Sequence, residues 1–400
     1  MQPTTPSVAR RFDLDWVRVI TMLMLLLFHS GRLFNYTPWH LKNAETAVGI
    51  EAYIHFFDYW GMAMFFLVAG AAVWFSLGAR KPGQFVLERS LRIFVPLILG
   101  ILIVVPPQVY LERVYQGAFN GNFFQFYPHF FTQGSYSYGG TGNLSWHHLW
   151  FLAYLFIFCL IALPLLLWLR RQSGQRFLDK LVAFSGRGGN IFLYVLPLCL
   201  WIVTLSPLSS GENDLIHDYA HLLYYFTFFL YGYLLCSREG FWQAIDRYKL
   251  LALILAIPLS LAEMTLDGLG FKSGGPYSPV MILFACARCF IALCWIMAFL
   301  GYARKFLSFS NKFLAYANEA VLPFYILHHM VIIIVGFFVI QWQMNVYLKF
   351  LVVVLSSFVI IMLLYEGIRR TVVTRFIFGM RLKKIKREGW GPSGVVPISD

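Results

Sequence analysis

Residues 12–36 read FDLDWVRVITMLMLLLFHSGRLFNY. From Trp16 to Tyr36 the stretch is apolar almost throughout, and about 20 such residues suffice for a helix to cross the hydrocarbon core of a bilayer. Arg18, His29 and Arg32 interrupt it. A cleaved leader does not fit: the apolar run is too long, it contains His29, and no small-x-small site follows.

Nine more stretches of this kind follow. They run from Ile54 to Leu77, Leu91 to Tyr110, Leu149 to Leu169, Ile191 to Leu208 and Tyr219 to Cys236. The rest run from Leu250 to Leu266, Pro279 to Tyr302, Ala320 to Ile340 and Tyr347 to Glu366. The stretch from Ile191 is among the shortest of the ten and carries Pro197; a re-entrant segment there would change the topology. The pattern predicts an all-α integral membrane protein, a bundle of about ten transmembrane helices. The segments are a cytoplasmic N-terminus (1–15), the membrane domain (16–368) and a basic cytoplasmic tail (369–400).

The composition agrees. Of 400 residues, 59% are hydrophobic and 13% charged, where a soluble domain carries about 25% charged residues. Mean hydropathy is +0.66. A disordered chain, a coiled coil and a disulfide-stapled secreted domain are excluded. The net charge of +13 raises the question of a nucleic-acid partner. Position answers it. With the N-terminus in the cytoplasm and the spans alternating, 26 of the 32 Lys and Arg fall on the inner side. The charge therefore orients the chain, with both termini cytoplasmic, and the tail from Arg369 to Arg387 marks anionic lipid rather than nucleic acid. The six cysteines lie within or at the ends of spans; Cys286 and Cys289 form a CxxC inside an apolar helix, where small packing residues are the simpler reading.

Ionisable groups inside spans point to function, because they need a cavity or a partner. Arg18 and His29 are eleven residues apart, so a helix puts them on one face, roughly 16 Å apart along its axis. Asp15 joins that face one turn below. A guanidinium at the cytoplasmic mouth and an imidazole deeper in fit an anionic donor and a proton-transfer group. A hydrogen-bonded core histidine beside an ordinary inner arginine fits the spacing too. Arg89 and Arg92 are i,i+3 neighbours able to face one anion, or simple inner-leaflet anchors. His55 shares a face with Glu51 and Asp58 at the outer end of the second span. His147 and His148 precede Trp150, an interfacial anchor type; no carboxylate or cysteine stands near them at ligand spacing, so no metal is expected. His328 and His329 diverge by 100° on a helix, so at most one need face a cavity. Glu366 is an inner-interface carboxylate, near Arg369 and Arg370. Arg288, midway along the eighth span, needs a partner. The outer loop from Leu111 to His148 is rich in Phe, Tyr, Gly and Asn, which suits a carbohydrate or a loop lying on the membrane.

These residues resemble a known family, the type-three membrane acyltransferases that O-acylate surface glycans and lipids. Arg18, ten residues and His29 match its first-span motif; Arg89-Ser-Leu-Arg92-Ile-Phe-Val-Pro96 is similar to its arginine motif in the third. The blocks FHSGRLF (28–34), WHLKNAE (39–45), FFLVAG (65–70), HLWFL (148–152), FYILHH (324–329) and LYE (364–366) resemble the branch that succinylates osmoregulated periplasmic glucans. The resemblance implies a bacterial inner-membrane enzyme with no permanently bound cofactor. Its donor substrate would be a cytoplasmic acyl-CoA, succinyl-CoA first and acetyl-CoA next, and its acceptor a periplasmic glycan hydroxyl. It implies His29 as general base or transient acyl carrier, Arg18, Arg89 and Arg92 as donor-binding residues, and His148 and His328 as cavity residues. Glu366 matches a block without an assigned role; Asp15, His55 and Trp150 complete the candidate cavity. A succinyl carboxylate would want an outer cation, for which Arg32 and Arg113 are the candidates. Two alternatives stand: an acceptor that is lipid or peptidoglycan, and a transporter of a glycan or lipid-linked sugar, although no internal repeat is visible.

Overall fold

Helix α1 (Phe12–Gly31) and helix α2 (Val48–Gly78) open the computed structural model, which describes residues 10–136, 142–210, 214–270 and 274–381. The next is α3 (Pro82–Tyr115), and then α4 (Phe123–Thr132), α5 (His147–Ile161), α6 (Leu163–Leu169) and α7 (Gln172–Ser185). The series ends with α8 (Asn190–Leu208), α9 (Tyr219–Ser237), α10 (Glu239–Gly268), α11 (Pro279–Phe306), α12 (Lys312–Val339), α13 (Val346–Ile368) and the short α14 (Val372–Ile377). Among the described residues there is no strand, only an isolated bridge between Ser135 and Leu144.

Among the described residues, seven helices are long and apolar enough to cross a membrane: α2, α3, α8, α10, α11, α12 and α13. The α5–α6 pair, bent by 49°, makes an eighth if it is one span. Pro164 causes the bend, because its ring displaces the carbonyl four residues back and it has no N–H to donate. The other two of the ten anticipated stretches fold as α1 and α9, of 20 and 19 residues. α8, the stretch with Pro197, is helical throughout, with 3₁₀ turns at both ends. The long segment after Leu111 is partly helical: α3 continues to Tyr115, and Asn122 caps α4 by accepting from Gln125 N at 3.0 Å.

Close approach of backbones holds the middle of the bundle. A Cβ on Gly70 would sit 1.8 Å from the Phe229 carbonyl oxygen, and one on Gly232 would sit 1.7 Å from that of Leu67. Small residues at facing positions let α2 and α9 touch, which is how helices associate in lipid, where apolar burial alone favours no partner. Around this seam, Phe66 packs on Trp150, Phe151, Tyr154, Phe158 and Tyr225 with ring centroids 4.6–6.4 Å apart.

Residues 369–381 differ from a free basic tail. Arg375 is buried and donates to Glu319 at 2.7 Å, and the chain then turns at Gly379, whose φ is +64°. Arg92 Nε donates to the Gly379 carbonyl at 3.0 Å. The remainder of the tail, 382–400, and residues 1–9 lie outside the described residues.

Candidate active site

α1 carries the site at both of its ends. Near its N-terminal end Arg18 Nη1 donates to Asn318 Oδ1 at 3.1 Å, and Asn318 Nδ2 donates to Asp15 Oδ1 at 2.9 Å. The amide of α12 thus couples the two charges that share the α1 face. Beside it α3 contains a π-helical turn, Ser90–Phe94, just ahead of Pro96. The wider turn accommodates the proline within a continuous helix and carries Arg92. Arg18, Arg89 and Arg92 together line one cavity of about 890 Å³.

Arg10, Arg11, Arg80 and Arg381 also line it, so seven arginines face three carboxylates, Asp15, Glu88 and Glu319. Glu88 is taken up by Arg80 at 3.2 Å and Arg92 at 3.3 Å. Arg89 Nε is buried with no hydrogen-bond partner among the described residues. A cavity with this cationic excess and an unused guanidinium donor is suited to a polyanion. Farther along α1 than Arg18, Met22 also lines it, with Phe151 and Tyr325.

Tyr325 separates this cavity from a second polar region. Its hydroxyl donates to the His148 carbonyl, and its own carbonyl accepts from His328 Nδ1 at 2.5 Å. His328 Nε2 lies 3.1 Å from His29 Nδ1. A carbonyl only accepts, so in neutral rings Nδ1 of His328 carries the proton and its Nε2 has the lone pair. His29 Nδ1 must then be the donor, which leaves His29 Nε2 unprotonated.

Six histidines from four segments form one cluster. His29 lies 5.0 Å from His328 and 4.9 Å from His329 between ring centroids. His329 lies 4.7 Å from His148 and 5.3 Å from His40, and His40 lies 4.8 Å from His147. His329 Nδ1 bonds Gln108 Oε1 at 2.5 Å, and His148 Nε2 bonds the Ile326 carbonyl at 3.0 Å. Both His328 and His329 therefore belong to the site. Their 100° divergence does not separate them, because the cluster wraps around α12.

The loop after α1 is stapled in place. Lys42 Nζ donates to the carbonyls of Arg32 and Asn35 and to Asn35 Oδ1, and Tyr115 OH donates to the Lys42 carbonyl. Burial, with Arg32 nearby, lowers the Lys42 ammonium to about 8. Lys349, buried on α13, donates to Asn43 Oδ1 at 2.8 Å. These bonds hold Trp39 and His40 over the cluster, with Trp39 6.3 Å from His29 and 5.1 Å from His329.

Not every candidate residue joins the site. His55 bonds Glu51 at 3.1 Å and neighbours Asp267, away from the cluster. Trp150 packs with Tyr154 and Tyr225 in the aromatic core. Glu366 accepts from Tyr316 and pairs with Arg369 outside the arginine cavity. Arg113 is committed to Asn143, Gln116 and the Gly142 carbonyl. His40, Glu112, Gln108 and Asn318 were not singled out by spacing; only the fold brings them in. In particular, a carboxylate does stand beside His147: Glu112 comes from a different helix, so spacing along the chain could not reveal it.

The family model for an acyltransferase domain matches residues 11–366, and the chain belongs to that acyltransferase family. Among curated proteins it is similar to the glucans biosynthesis protein C of Escherichia coli O81 (strain ED1a) and of Escherichia coli (strain K12). Identity to each is 23% over 399 residues, covering 95% of this chain and 96% of the relative. No solved structure matches.

Proposed function

We propose that the protein transfers an acyl group from a coenzyme A thioester, held in the arginine cavity, to a hydroxyl of a periplasmic glucan. Membership of the acyltransferase family and likeness over the whole length to proteins named for glucan biosynthesis support this reading. The observation that carries it is α1 itself. One helix presents Arg18 to a cationic cavity and His29 to a histidine relay. In this reading both termini are cytoplasmic, ten spans cross the inner membrane, and Arg18, Arg89 and Arg92 bind the phosphates of the donor.

His29 Nε2 takes the proton of the acceptor hydroxyl as the oxygen attacks the thioester carbon. The carbon–sulfur bond breaks, and the imidazolium returns the proton to the leaving thiolate. The His328 relay holds His29 in the required tautomer. Succinyl is the first acyl group to test, by likeness to the glucan branch.

Purified protein in proteoliposomes, given labelled succinyl-CoA or acetyl-CoA on the cavity side and a glucan on the other, should place label on sugar hydroxyls. His29→Ala should abolish transfer. Equal transfer by that variant, or transfer without any thioester donor, would sink the reading.

A further inference from the structure

We propose that His40, Glu112 and His147 bind a divalent transition-metal ion, zinc by the chemistry of the donors, on the side of the histidine cluster facing away from the arginine cavity. The three residues come from the loop after α1, the end of α3 and the start of α5. One ligand atom from each lies within 4.8 Å of the others, and His40 Nδ1 is 2.5 Å from Glu112 Oε2. Two imidazoles and one carboxylate are a donor set that catalytic zinc uses, with a fourth position left open. Bonds of about 2.0–2.1 Å to a common ion need ligand atoms between those two separations, within reach of side-chain rotation. The ion takes the place of the proton between His40 and Glu112.

The surroundings support a ligand set rather than a plain hydrogen bond. Glu112 is fully buried. Tyr136 OH donates to its two oxygens at 3.0 and 3.1 Å, and Gln116 Nε2 donates to Oε1 at 3.1 Å. Such outer bonds orient metal-binding carboxylates. His147 is the independent observation. Its Nε2 is buried with no hydrogen-bond partner among the described residues. Its backbone adopts φ +44°, with its N–H held by Ser145 Oγ at 2.9 Å. A disfavoured backbone conformation at a residue whose buried side-chain nitrogen is orphaned is accounted for by a ligand, and a His40–Glu112 hydrogen bond alone leaves it unexplained.

The open position would lie near His29, since His40 and His29 both pack on His329. A bound acceptor hydroxyl would be acidified there, as a metal acidifies its water. That role rests on the acyl-transfer reading; the binding itself does not.

The test uses the full-length, tag-free protein in detergent, stripped with chelator, reloaded with zinc and freed of excess. Elemental analysis should give about one zinc per chain. X-ray absorption at the zinc edge should show nitrogen and oxygen ligands without sulfur. Glu112→Gln and His147→Ala should each weaken zinc binding at least about tenfold in competition with a chromophoric chelator, while His55→Ala should not. A wild-type protein that retains no zinc, sulfur in its ligand shell (the Cys199, Cys286 and Cys289 region), or undiminished binding in both variants would each overturn the proposal. The wild-type measurements decide even if a variant does not fold.

Discussion

His328 Nε2 sits 3.1 Å from His29 Nδ1 while the other nitrogen of His328 is bonded to the Tyr325 carbonyl. The chain of three groups runs in one direction only. A backbone oxygen at one end dictates which nitrogen is protonated in each ring, and the result is a free lone pair on His29 Nε2. His328 is therefore a positioning residue. His328→Ala should lower kcat about 10–100-fold and leave the donor KM nearly unchanged, whereas loss of His29 should cost about 10²–10⁴ or more. The pH–rate profile of His328→Ala should also move, because His29 loses the partner that orders its tautomers. A rise in KM with unchanged kcat would place His328 in substrate binding instead.

At the other end of α1, Arg18 depends on Asn318, and Asn318 also holds Asp15. Arg18→Ala should raise the donor KM by at least about tenfold, with a smaller effect on kcat. Asn318→Ala should do the same more weakly. The double variant should fall short of the sum, because the two share one interaction, with a coupling of about 0.5–3 kcal/mol. Steady-state kinetics on the four proteins measure this. Additive effects would mean that Arg18 is positioned without Asn318.

Arg288 was expected to need a partner inside the membrane, and Glu263 of α10 supplies it at 2.6 Å, with Tyr59 OH donating to the same carboxylate. Removing one member strands the other. Glu263→Gln should lower stability, read as a drop in melting temperature in detergent. Glu263→Gln with Arg288→Met should be less damaged than Glu263→Gln alone. Transfer by the folded fraction should persist, since neither residue touches the cavity or the histidines.

The α2–α9 seam makes a stability prediction. Gly232→Leu puts atoms where the Leu67 carbonyl is, and should yield little monodisperse protein in size-exclusion chromatography. Gly268→Ala is the control, because nothing among the described residues lies within 4 Å of its added methyl. It should shift stability by no more than about 0.5 kcal/mol. Equal behaviour of the two variants would remove the close contact as the reason for Gly232.

Residues such as Arg18 and His29 were legible because one helix relates them: eleven positions fix a shared face without help from the rest of the chain. Arg89 and Arg92 were legible for the same reason. His40, Glu112 and Asn318 were not. Each reaches the site from another segment, and nothing in its own neighbourhood along the chain marks it. His55 and Glu366 had the right residue types and turned out to have nearby partners of their own. The basic stretch after Arg369 reads as an inner-leaflet tail, yet Arg375 is buried against Glu319 and Gly379 docks on Arg92.

By itself the sequence determined that this is a helical membrane protein, that its Lys and Arg gather between alternate apolar stretches, and that α1 carries an arginine and a histidine on one face. These follow from local rules: the length of apolar runs, the side on which Lys and Arg collect, and the period of a helix. The tertiary structure alone decided that six histidines meet, that His29 Nε2 is the nitrogen left free, and that Glu112 stands between His40 and Tyr136. Those outcomes depend on which helices touch. That is set by small residues at close contacts and by buried polar groups finding partners across the bundle, and neither leaves a periodic trace along the chain.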